Sequence, residues 1–252
     1  MKLFPPKGFP DPEQIFLEPI RVVNIPKNGD VLNDIDGQLP AGHQYTDKDR
    51  VTWAHETSHG ISSRIRNANN GKVNGFYTVD GGAILVAEPK ICLTTWALNV
   101  PPSLRGDCWR FYLTGRQAQQ WDDRPLYMYD EWNAYLLGSI CGVDLVQKGL
   151  LRERRLSTLL KTVEFGIYAL CCVGKCFDAS ENFARFTSFQ IARTLELAST
   201  VKRVEALKKI LWEDAIEVQW NRFLQSPDTE LIREGLVRDF GSEWAGEVLH
   251  QL

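Results

Sequence analysis

From Ser103 to the C-terminus the chain is a succession of segments in which apolar residues recur every three to four positions. They fall at about 103–114, 127–147, 156–177, 180–200, 203–225 and 228–250, separated only by short turn-like breaks such as Gln225-Ser226-Pro227-Asp228. That period excludes a sheet-dominated second half and predicts a helical bundle. No linker is long enough to mark a boundary and no internal repeat is visible, so one domain over 1–252 is expected.

The first hundred residues follow a different pattern. Residues 1–45 are rich in proline, glycine and asparagine, with one strand-like run, IRVVNI (20–25), and predict an extended arm over the surface of the body. Thr46 opens T-D-K-D, whose Thr46 and Asp49 suit the free amides of a helix start. Val51, Ala54, Ser58, Ile61 and Ile65 then give an inward stripe until Asn67-Ala-Asn-Asn-Gly71 stops the helix. KVNGFYTV (72–79) and AILVAE (83–88), joined by Asp80-Gly81-Gly82, predict a β-hairpin with glycines at positive φ. The expected fold is α+β and predominantly α: a small sheet beside the 46–100 helix and hairpin, then a helical part over 101–252.

Charge narrows the partners. With 32 acidic against 29 basic residues, no global field recruits nucleic acid or an anionic membrane. The opening MKLFPPKGFPDPEQIFLEP lacks the apolar core of a secretory signal, and no later run has the length of a membrane span. The expectation is a cytoplasmic protein, or one exported without a recognisable signal peptide. The six cysteines predict reduced thiols, and Cys171, Cys172 and Cys176 read as helix packing because no second ligand pair follows at a finger-like spacing.

Within the 46–66 helix stands TWAHETSHGI (52–61), which holds two of the chain's four histidines. Residues four apart share a helix face, so His55 and His59 can aim two imidazole nitrogens at one ion. Glu56 lies beside that point, placed to take a proton from a water activated there. No charged neighbour other than Glu56 competes for the ion. His43, in a loop, and His250, at the terminus, are not counted as ligands.

The flanks Thr52, Thr57, Ser58, Gly60 and Ile61 match the wider signature around such a motif, and here the sequence resembles the zincin metallopeptidases. The likeness implies Zn²⁺ held by His55 and His59, a peptide or protein substrate, and Glu56 as general base. Ser62 and Ile65 stand where the metzincin clan continues its motif, which excludes that clan. The gluzincin type takes a glutamate from a later helix, and the sequence is similar there to compact gluzincins and to the anthrax lethal factor catalytic domain. Glu131 in LYMYDEWNAYLLGSICG is the leading candidate, with Asp130, Glu88, Glu164 and Glu181 as rivals. In its favour, Glu131, Tyr135, Gly138 and Gly142 form a face of mostly small residues where another helix can approach closely.

Amide hydrolysis also requires a donor for the developing oxyanion. Similar enzymes carry a tyrosine two turns before the metal glutamate, but this chain has Arg124 there. Tyr129 and Tyr135 are the candidates, with Tyr127 and Arg124 beside them. The hairpin is a candidate edge for aligning an extended substrate, with Asn74 and Tyr77 as possible contacts. The resulting expectation is a zinc-dependent peptidase. A non-catalytic binding or regulatory protein on the same scaffold and a delivered effector peptidase are the alternatives.

Overall fold

The computed structural model describes residues 12–151, 154–173, 181–203, 210–211 and 214–249. Its architecture is α+β and predominantly α, as the apolar period requires. A three-stranded antiparallel sheet is made of β1 (Gln14–Phe16), β2 (Val73–Tyr77) and β3 (Gly82–Ala87), in the order β1-β3-β2. The β2–β3 hairpin turns through three left-handed residues, Val79 at φ 63°, Asp80 at φ 52° and Gly81 at φ 77°, whereas Gly82 already begins the strand.

The N-terminal segment departs from an extended arm. Residues Gly29–Gly37 form a helix, α1, with Leu32 and Ile35 fully buried, each contributing about 1.5–3 kcal/mol of apolar burial. Its composition favours turns, so tertiary partners hold it: the Asp144 carboxylate accepts from the Asp30 and Val31 N–H groups, and Trp53 Nε1 donates to Asp36 Oδ1 at 2.9 Å. The strand-like IRVVNI run is irregular, with Val22 92% exposed, because no neighbouring strand pairs with it. The sheet takes Gln14–Phe16 instead.

The motif helix, α2, spans Arg50–Ala68. Its cap is Asp49 rather than Thr46: the Asp49 carboxylate accepts from the Val51 N–H at 3.0 Å and from the Thr52 hydroxyl at 3.2 Å. Beyond the hairpin come three short helices, α3 (Leu93–Ala97), α4 (Asp107–Tyr112) and α5 (Gly115–Gln120). The long α6 (Tyr127–Gln147), α7 (Ser157–Val173) and α8 (Glu181–Arg203) follow as the apolar period predicts.

Two predicted helices are divided. Within 203–225, Ile210–Leu211 forms a strand, β5, paired in parallel with β4 (Arg154–Arg155), and α9 begins only at Asp214 and ends at Gln225. Within 228–250, Gly241 at φ 89° separates α10 (Glu230–Phe240) from α11 (Ser242–Leu249). Cys92 is exposed, and Cys108, Cys141, Cys171 and Cys172 are buried free thiols; Cys176 lies outside the described residues. No helix among the described residues is long and apolar enough to cross a membrane.

α6 is the axis of the molecule, packed on α2 at one side and α7 at the other. The small-residue face receives α2: a Cβ at Gly138 would stand 3.1 Å from the Val51 carbonyl oxygen and 3.5 Å from the His55 Cβ. That closeness brings the start of α6 beside the middle of α2. Trp132, fully buried, fixes the rotation of α6 by donating from Nε1 to the Thr194 hydroxyl at 3.1 Å.

Candidate metal centre

On α2 the polar face of the motif turns inward because α6 offers no side chain at Gly138 to keep it out. The Nε2 atoms of His55 and His59 face each other at 3.3 Å, and Glu131 Oε2 stands 3.8 Å from each. Ligand atoms about 2.0–2.1 Å from a tetrahedral zinc lie about 3.3–3.4 Å apart, so the three atoms converge with nearly the spacing such an ion demands. Glu131 Oε2 is also buried without any hydrogen-bond partner, an unsatisfied acceptor that a cation would relieve. The Tyr127 hydroxyl, one turn earlier on α6, hydrogen-bonds the Glu131 carboxylate and steadies it.

Glu56 competes for the third place, since His55, Glu56 and His59 offer ligand atoms within 4.8 Å of one another. Exposure and position decide between the two. The Glu131 side chain is 9% exposed and its Oε2 is equidistant from both imidazoles, whereas the Glu56 side chain is 43% exposed, with Oε1 3.9 Å from His55 Nε2. Glu131 therefore suits a ligand, and Glu56 a group that meets solvent and substrate.

Asp130, a rival ligand in the sequence, has a different place. Its Oδ2 accepts from His59 Nδ1 at 2.7 Å, which holds the ring so that Nε2 faces the other ligands. His55 is gripped by packing, its ring 4.3 Å from that of Tyr135, and its Nδ1 is buried without a hydrogen-bond partner.

The charges answer to this arrangement. Burial, aided by the neighbouring His59, lowers His55 to about 3, leaving it neutral at any ordinary pH. Burial pulls His59 down too, but Asp130, Glu131 and Glu56 outweigh it and raise the ring to about 9. Burial raises Glu131 to about 7 against the opposing pull of His59. A cation entering the site thus displaces a proton from His59.

A cleft of about 280 Å³ opens over these groups, lined by His55, Glu56 and His59, by Tyr127 beside Glu131, and by Tyr112, Trp121 and Arg124. Tyr129 is not in it. Its ring is fully buried between Trp96, Trp132 and Phe183, with its hydroxyl paired to Thr187 Oγ1 at 2.9 Å, because it lies half a turn from the cleft face of α6. Tyr135 is also removed from direct contact. It lies buried behind His55, its hydroxyl shared with that of Tyr112 and reached by Lys161 Nζ at 3.3 Å.

Tyr112 lines the cleft where those two do not, and no motif marks it. Only the docking of α4 brings it in: Gly106 N–H donates to the Tyr168 hydroxyl at 3.0 Å, and Cys108 N–H donates to Glu164 Oε1 at 3.1 Å. Glu164 is thus spent on holding α4. Glu88 lines the cleft, yet its Oε1 accepts from Asn74 Nδ2 at 2.7 Å and its Oε2 from the Leu126 N–H at 3.1 Å. Asn74 reaches the cleft; Tyr77 turns away and donates to Asp34 at 2.6 Å. His43 is exposed outside the cleft, and His250 and the Glu181 side chain lie outside the described residues.

No protein-family model matches the chain, and neither does any curated protein or any solved structure.

Proposed function

We propose that this chain is a zinc-dependent peptidase of gluzincin type, with His55, His59 and Glu131 as metal ligands and Glu56 as general base. The observation that carries the reading is the convergence of two imidazole Nε2 atoms and an unsatisfied buried carboxylate oxygen at 3.3 and 3.8 Å, with a second, solvent-facing carboxylate alongside. A bound zinc ion would supply the positive charge that acidifies water and polarises a peptide carbonyl.

The chain's own residues supply the remaining chemistry. Glu56 accepts a proton from the attacking water and returns it to the leaving amine, for which its partial exposure at the cleft is suited. Tyr112 offers its hydroxyl to the oxyanion, with Tyr135 behind it and Lys161 at the end of the chain of hydroxyls. Asp130 holds His59 in the tautomer that leaves Nε2 free to ligate.

The test is zinc content together with cleavage of a mixed peptide library. One zinc per chain, abolished by His59→Ala and retained by an inactive Glu56→Gln variant, is the expected result. Zinc without cleavage in the parent protein would favour a binding or regulatory role, and absence of zinc would overturn both readings.

A further inference from the structure

The cleft extends past the metal ligands along α2. His55, His59, Ser62 and Arg66 succeed one another at helical intervals and all line it. Arg124 also lines it, with the partly buried Trp121 ring in the same lining and Phe76 and Leu126 buried behind it. The cleft is therefore bipolar, with Glu56, Asp130 and Glu131 at one end and two guanidinium groups at the other.

Those guanidinium groups are not committed within the fold. Glu88, the carboxylate at that end, has both oxygens occupied by Asn74 and Leu126, so the arginines bear on it only through their field. Arg66 makes no ion pair among the described residues, and Arg124 only approaches the exposed Asp123 at 4.0 Å. Ser62 Oγ, between His59 and Arg66, is buried without a hydrogen-bond partner. An orphaned hydroxyl and two planar cations without a close carboxylate partner among the described residues form a receptor for a carboxylate.

We infer that Ser62, Arg66 and Arg124 form a subsite for a carboxylate of the substrate, either an acidic side chain or a free C-terminus; the inference rests on the peptidase reading above. Arg66 follows His59 by seven residues, about 10 Å along the helix, and an extended peptide advances about 3.3 Å per residue. Because helical side chains lean toward the N-terminus, the carboxylate falls two or three residues from the scissile bond.

The experiment uses two random decapeptide libraries, one with amidated and one with free C-termini, and reads the cleaved bonds by mass spectrometry. An acidic side chain as ligand gives Asp and Glu enriched about tenfold two or three residues from the cleaved bond in both libraries. A C-terminal ligand gives cleavage near the end of the free-acid library alone. In either case Arg66→Met with Arg124→Met abolishes the preference, and Arg66→Glu shifts it toward Lys and Arg. Cleavage with no acidic or terminal preference, or a preference that survives the double variant, would overturn the subsite and leave the peptidase intact. If nothing is cleaved, the peptidase reading fails, and binding of fluorescent Glu-containing and Gln-containing hexapeptides to the zinc-loaded protein decides the subsite. With each peptide made as the free acid and as the C-terminal amide, a tenfold tighter Glu peptide or a tenfold tighter free acid supports it, and equal affinities of all four end it.

Discussion

Where α2 meets α6, two long helices touch at a glycine, and every group that could hold the ion projects from one of them. Across the cleft, residues 88–126 form short helices and turns, and they offer Tyr112, Trp121 and Arg124 besides Leu126 and the hydrogen-bonded Glu88. The difference is one of tolerance. Ligand atoms must stay within a few tenths of an ångström, which requires elements whose rotation and height are fixed by packing. A wall that meets substrate needs shape and charge, which short elements supply.

Substitutions that separate the two walls test this contrast. The largest effect belongs to Glu56 on the ligand wall: Glu56→Gln lowers turnover about 10²–10⁴-fold with zinc retained, read as kcat beside metal content. On the opposite wall, Tyr112→Phe lowers kcat about 10²-fold and leaves zinc affinity unchanged. An equal loss of zinc would show that α4 supports the ligands rather than the oxyanion.

Smaller effects probe what lies behind the ligands. Asp130→Asn weakens zinc about 10- to 100-fold in competition with a chromophoric chelator, and unchanged affinity would remove its orienting role. Gly138→Ala pushes a methyl group toward the Val51 carbonyl and costs about 1–3 kcal/mol in denaturant unfolding. Gly142→Ala is milder, since its nearest obstacle is the end of the Leu156 side chain. Tyr129→Phe loses about 1 kcal/mol with its Thr187 bond and keeps full turnover; a drop in kcat would return Tyr129 to the chemistry.

The wall built from α2 and α6 was legible in the sequence to a degree that the opposite wall was not. His55 and His59 share a face by helical geometry alone, and Gly138 and Gly142 announced that some helix would lie close to α6. Tyr129 and Tyr135 were attractive through their proximity to Glu131 in the chain, but the rotation of α6, fixed by Trp132, buries one and sets the other behind His55. Tyr112 had no signal because its place depends on Glu164 and Tyr168 holding α4 from another helix. Asp130 and Glu131, adjacent in sequence, could not be assigned their separate tasks until the ring of His59 had a direction.

By itself the sequence determined what local period and spacing control: a mostly helical body, one hairpin, and two imidazoles on one face of a helix. Tertiary structure decided which carboxylate meets them, which tyrosine reaches the cleft, and that α1 exists at all within a segment whose residues favour turns. Those outcomes depend on contacts between positions up to about a hundred residues apart, such as Asp144 with Asp30 and Glu131 with His55. Local periodicity records which side of an element is apolar, but not which element will lie against it.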